Sequence, residues 1–267
     1  MILLTLCALL VQISAPASEV FNEAGEQNYS GEIGGGGQPG HGKFIAYPHV
    51  LEDTLPSSVS ISDTAWLNEQ EIIVVGWYAA NVTVGNQTLT VDTEGVNDLL
   101  VARISLRNGV VWTRTADCSG NDSINSVAIE HEDGDDGGEN STIWIAGSFH
   151  GEMTIGSQIL ASSAPDSESR VLIGKLDSAG NVLGATNSDG TSGYAEAFDM
   201  SLSESGAYIV GQSNAESTFG AHSITNLGSR TVGFIGHVSA SGVWESIAST
   251  SCCTASNWYG DASFNAI

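Results

Sequence analysis

Three stretches of this chain can be laid on one another without gaps: IIVVGWYAANVTVGNQTL around Gly76, IWIAGSFHGEMTIGSQIL around Gly147 and YIVGQSNAESTFGAHSI around Gly211. Each carries a second glycine (Gly85, Gly156, Gly220), preceded by Val84, Ile155 or Phe219 and followed by an apolar residue, Leu89, Leu160 or Ile224. Self-similarity of this kind constrains the fold more than composition does, because a short unit that cannot bury its own apolar face has to stack on copies of itself. Downstream, LLVARISLRNGVVW, VLIGKLDSAGNVLG and GFIGHVSASGVWE each read as a strand, a turn at Gly109, Gly180 or Gly242, and a returning strand. Another strand follows as NSVAIE from Asn125 and as EAFDMSL from Glu196, and YGDASFNAI near the end reads as the opening of a further copy.

These runs are short, rich in branched and aromatic residues, and bounded by Gly, Asn, Asp and Ser, which is a strand signature. Apolar residues occupy both alternating sets, Val101 with Arg103 on one side and Ala102 with Ile104 on the other. Such strands need cover on two faces. The expected fold class is all-β and β-propeller-like: about three four-stranded antiparallel blades at residues 58–115, 125–187 and 196–248, plus the start of a fourth at 257–267. Propellers close with typically 4–8 blades, so three and a part make an incomplete one. The first and last blades are then expected to leave one apolar face bare.

At these residues the chain resembles a known family. The order strand-G-S-F-x-G-x-x-x-I-G followed by V-L-I-G-K-L-D-S-A-G-N-V-L is similar to the bacterial and archaeal β-propeller repeat, in which a secreted chain carries many such modules. The resemblance spans about residues 58–267. It implies a propeller fold and transfers no catalytic residues.

The N-terminal MILLTLCALLVQISAPASEV carries no charge before Glu19, and its apolar run ends in Ala15, Pro16 and Ala17. That pattern reads as a signal peptide over residues 1–17, too short to span a bilayer. Residues 18–43, with SGEIGGGGQPGHGK at their end, have almost nothing to bury and read as a Gly-rich flexible linker ahead of the repeat region at 44–267. The expected location is secreted or cell surface. Five Asn-x-Ser/Thr sites, at Asn28, Asn81, Asn86, Asn121 and Asn140, are compatible with glycosylation there. After cleavage Cys118, Cys252 and Cys253 remain, an odd number that describes no disulfide framework.

Seven Lys and Arg against 31 Asp and Glu give a net charge of −24. Such a surface repels phosphate backbones and anionic lipid, so nucleic acid and direct membrane insertion are set aside as partners. An extracellular protein or glycan is the expected partner, together with missing blades of a longer chain. The densest charged segment is HEDGDDGGEN, in which Asp133, Asp135, Asp136 and Glu139 offer hard oxygen ligands for calcium. Gly137 stands where the Ca²⁺-loop pattern wants another ligand, and a solvated acidic loop is the plainer reading.

Two sets of positions recur with structural rather than chemical character. Gly76, Gly147 and Gly211 lie inside strands, where glycine is unfavourable unless a bulge or a close neighbour requires it. Arg103, Lys175 and His237 place a basic residue at one position of the third strand, which suggests pairing with a carboxylate on a neighbouring strand. The histidines show no H-E-x-x-H and the serines no G-x-S-x-G elbow. Trp77, Trp112, Trp144, Trp244 and Trp258 admit a carbohydrate-stacking reading, with burial between sheets the plainer one. The function expected is therefore a secreted, non-enzymatic propeller segment in adhesion, recognition or display. The alternative is part of a carbohydrate-active or other hydrolytic propeller.

Overall fold

The structure, a computed structural model, describes Val20–Phe21, Gln27–Asn28 and residues 58–250, the last span apart from 85–86, 92–95, 119, 133–138, 162, 164–166, 191–192, 215 and 226–230. The chain divides into two units, Met1–Pro56 and Ser57–Ile267. In the first, β1 (Val20–Phe21) pairs antiparallel with β2 (Gln27–Asn28), inside the stretch read as a linker.

The second unit is all-β, and no helix occurs among the described residues. Its strands fall into three successive sets. The first holds β3 (Val59–Asn68), β4 (Glu71–Tyr78), β5 (Val82–Val84), β6 (Gln87–Leu89), β7 (Asp98–Ser105) and β8 (Gly109–Arg114). After β9 (Asp117–Cys118), the second holds β10 (Ser123–Glu130), β11 (Thr142–His150), β12 (Met153–Ile155), β13 (Gln158–Leu160), β14 (Ser169–Asp177) and β15 (Val182–Asn187). The third holds β16 (Ala195–Ser203), β17 (Gly206–Ser213), β18 (Ser217–Phe219), β19 (His222–Ile224), β20 (Val232–Ser239) and β21 (Trp244–Ser249).

Each set builds one four-stranded antiparallel sheet, ordered β3-β4-β7-β8, β10-β11-β14-β15 and β16-β17-β20-β21. Between the second and third strands the chain makes a small two-stranded excursion: β5-β6, β12-β13 or β18-β19. β9 adds to the middle one by pairing with β12. The turns joining third to fourth strands carry Gly109, Gly180 and Gly242 at φ of 81°, 80° and 84°. Only glycine enters that left-handed region without strain, which is why the turn glycine recurs.

Two irregularities repeat in every sheet. In the first strand the register slips between Ile61 and Asp63, Ile124 and Ser126, and Ala197 and Asp199. The residue paired at each slip is the recurrent strand glycine: Ile61 with Gly76, Ile124 with Gly147, Ala197 with Gly211. A Cβ on those glycines would overlap the carbonyl oxygens of Ser60, Ser123 and Glu196. The close neighbour is thus the bulged strand of the same sheet, and glycine is what lets the bulge close. The second slip lies in the outer strand, opposite Arg103, Lys175 and His237. It turns Val111 and Leu183 outward at 44% and 55% exposure, a break in the ladder that blunts the edge against further pairing.

The sheets stack face to face. Ile73, Val75, Leu99 and Val101 of the first share one buried core with Ile124, Ile145, Leu172 and Leu176 of the second. The opposite face of the second sheet, with Trp144, Ala146, Val171 and Ile173, shares another with Ile209, Phe219, Phe234 and Trp244 of the third. Each buried side chain of this size contributes about 1.5–3 kcal/mol, so these cores outweigh any single polar tie between sheets.

The outer faces differ from expectation at one end. Ile72, Val74, Leu100, Ala102 and Ile104, which point away from the second sheet, are all at most 3% exposed. The central part of this face is therefore covered, while Trp66, paired with Ile72 on the same face, is 45% exposed. On the third sheet, Tyr208 and Ile235 are 43% and 38% exposed.

Candidate functional site

The polar residues that converge in this molecule do so where one sheet meets the next. The recurrent basic position sets the pattern. Arg103 on β7 forms an ion pair with Glu71 on the neighbouring β4, and its Nη1 donates to the Ser178 carbonyl of sheet two at 2.7 Å. Lys175 on β14 takes the corresponding path: its Nζ donates to the Ala240 carbonyl of sheet three at 2.6 Å and lies 4.4 Å from the Trp144 ring centre. Ser178 and Ala240 both open the turn after the third strand, so one cation reaches forward to one carbonyl at each interface. Lys175 has a ring in place of a carboxylate as its strand neighbour, an exchange an ammonium tolerates.

His237 holds the same position in sheet three. Its Nδ1 lies 3.0 Å from Glu245, its Nε2 lies 3.2 Å from the Ser205 hydroxyl, and its ring packs on Tyr208 at 4.7 Å. All three partners belong to its own sheet.

A second set of ties joins the first strands of the three sheets. One Asp63 carboxylate oxygen accepts from the backbone N–H of Val127 at 2.9 Å, and the Asn125 amide donates to the Ala197 carbonyl at 2.7 Å. The Ser126 hydroxyl lies 3.3 Å from Asp63 and 3.0 Å from Asp199. With a single proton it donates to one of them at a time. Asp63, Ser126 and Asp199 occupy one position of the repeat, directly after the bulge, and there each side chain meets a neighbouring sheet.

The densest buried network surrounds Arg170, which is fully buried and donates to the carbonyls of Ser169 and Gly190 at 2.7 and 2.8 Å and to that of Gly193. Burial pushes its guanidinium below the ordinary value, while Glu168 and Asp189 work in the opposite direction. Burial alone would raise the Asp189 carboxyl. Hydrogen bonds from Ser163 and Gly190, with the charge of Arg170, outweigh this and hold it below the usual carboxylate range. Asp189 also pairs through its backbone with Thr218 of sheet three. The segment from Ser188 is therefore a splice between sheets, with Ser188 buried and its hydroxyl accepting from the Val171 N–H.

The remaining sequence candidates disperse. Asp133, Asp135 and Asp136 lie outside the described residues; Glu139 is exposed and its carbonyl accepts from the Ser178 hydroxyl. Among the described residues no group of three His, Cys, Asp or Glu side chains is placed to hold a metal ion. Gly156 and Gly220 turn the small hairpins at φ of 61° and 59°, and Gly85 lies outside the described residues. Trp112, Trp144 and Trp244 are buried between sheets and Trp77 is half-buried, so these four form no exposed stacking platform; Trp258 lies outside the described residues. No described helix is long and apolar enough to cross a membrane.

Sequence reasoning missed the forward ties, the inner polar row and the Arg170 network. A polar residue at one first-strand offset (Asp63, Ser126, Asp199) was the available signal for the second of these. Comparison with family models and with curated proteins found no match. The resemblance to the propeller repeat therefore rests on the residues quoted for it.

Proposed function

We propose that this chain is a secreted β-propeller segment, a non-catalytic scaffold for adhesion, recognition or display at a cell surface. The observation that carries the reading is one docking device used twice: the same sheet face, the same forward-reaching cation and adjoining first strands at both interfaces. Radial stacking of blades about their first strands has that character. On the third sheet, Tyr208, Ile235 and His237 hold the positions of Trp144, Ile173 and Lys175. Tyr208 and Ile235 are partly exposed beside the buried His237, which makes that face our proposed seat of a further repeat. The charged side chains support a scaffold over a hydrolase, since Arg103, Lys175, Arg170 and Asp63 are spent on backbone groups. Export rests on the leader and on sequons, of which Asn81, Asn121 and Asn140 are exposed.

The test is to immobilise the purified chain, screen polysaccharides and extracellular proteins for capture, and assay the same polysaccharides for released reducing ends. Capture without product is the expected result. Turnover of any captured polysaccharide would replace the scaffold with the hydrolytic propeller.

A further inference from the structure

We propose that the wedge between sheets one and two is a binding site for a small molecule with an apolar body and a carboxylate head, with Arg114 as its counter-ion. A cleft of about 300 Å³ opens there, with Leu99 and Val101 of β7, Ile155 of β12, Leu176 of β14, Val182 of β15 and Arg114 of β8 in its walls. That size lies at the lower limit of roughly 300–1,000 Å³ for small-molecule sites.

The repeat itself explains why the cleft is open. At the interface between sheets two and three, Phe219 stands where Ile155 does and Trp244 where Val182 does. Those two rings meet edge to face at 4.9 Å and fill the corresponding space. At the first interface the ring comes instead from Trp112 of β8, and the space beside Ile155 and Val182 is left to these two aliphatic side chains.

The head group is set by Arg114. Its Nε donates to the Gly180 carbonyl at 2.8 Å, Nη1 to Thr113 at 2.8 Å and Nη2 to Ala179 at 2.9 Å, with the guanidinium 5.1 Å from the Trp112 ring centre. A guanidinium has five N–H groups, so one on each Nη remains. Two such donors on one planar fork are what a carboxylate accepts. No carboxylate of a described residue lies in ion-pair contact with Arg114. Asp177 lies within its field, but the two Asp177 oxygens are held by the backbone and side-chain N–H groups of Asn181. At the other interface Thr186 takes the place of Arg114. The cation therefore accompanies the aliphatic pair at one interface, and a threonine accompanies the aromatic pair at the other.

Calorimetric titration of the whole chain with decanoate and with decanol tests the proposal. The wild type is expected to bind decanoate at sub-millimolar concentration. Val182→Trp, which copies sheet three, is expected to weaken binding of both probes by at least about tenfold and to raise the melting temperature. Ile155→Phe fills the same space from the opposite wall and is expected to do likewise. Arg114→Met is expected to lower the preference for acid over alcohol by about tenfold, the loss of one charge-assisted pair. Absence of decanoate binding, binding that survives both filling variants, or an acid preference unchanged in Arg114→Met would overturn the site.

Discussion

Between the first and second sheets the large indole comes from the first: Trp112 on β8, whose Nε1 donates to the Ser178 carbonyl across the interface. Between the second and third it comes from the later sheet: Trp244 on β21. At the Trp112 position the second sheet has Gly184, and at the Trp244 position it has Val182. One interface is filled from in front and the other from behind. What repeats in this molecule is the backbone, with its bulges, turns and forward ties; the side chains that fill the gaps come from either partner. Trp112 is held by a hydrogen bond to a turn, whereas Trp244 sits among Phe219, Gly236 and Ile247 with no recorded bond to its Nε1. The first interface is thus tied by polar contacts around an open wedge, the second packed by rings.

That contrast is most severely tested by Trp244→Ala, expected to cost about 3–5 kcal/mol in denaturant unfolding because it leaves a cavity in a filled core. Trp112→Ala should cost less; the reverse ranking would remove the distinction between a packed and a tied interface. Gly147→Val comes next, at about 1–3 kcal/mol or more. The added carbons meet the Ser123 carbonyl in the one sheet that serves both interfaces, and a neutral result would mean the bulge is not what the glycine accommodates. The forward ties follow. Arg103→Met is expected to cost about 1.5–3 kcal/mol, as for a hydrogen-bonded charge, and Lys175→Met below about 1 kcal/mol because its ammonium is largely in solvent. Equal losses at the two sites would show that the interfaces do not differ in their reliance on polar ties.

The smallest expected effect concerns pH. The Asp189 carboxyl is held below its ordinary value in the fold, so its contribution is complete above the unfolded value of about 4 and is lost as pH falls through the lower folded one. Wild type should therefore lose more melting temperature than Asp189→Asn between neutral pH and pH values below about 4. Parallel losses would show that the splice between sheets two and three carries no acid-sensitive stability.

Strand content and its repetition were legible because they depend on local pattern: VVGWY, IAGSF and IVGQS announce their kinship through the glycine and the branched residues around it. The bulge opposite that glycine left a weaker trace, since one extra residue in a strand changes register without changing composition. Gly76 hinted at it, but the partner was the adjacent strand and not an adjacent sheet. The small hairpins were visible only as a second glycine. Nothing local distinguishes Arg170 from a surface arginine at the start of an apolar run; its burial depends on two carbonyls, of Gly190 and Gly193, supplied some twenty residues further along the chain. The wedge was equally hidden. It depends on which of two aligned positions carries the larger side chain, a fact that acquires meaning only once the sheets are stacked.

The forward direction of the basic ties has a consequence for how the molecule is made. Arg103 and Arg114 on sheet one find their carbonyls at residues 178–180, and Lys175 on sheet two finds its own at Ala240. During synthesis each sheet is complete before the turn that accepts its cation's hydrogen bond has been released. Every newly delivered turn therefore completes hydrogen bonds of the sheet before it. A nascent chain halted before residue 178 would hold Arg103 on Glu71 alone and Arg114 without two of its three carbonyls.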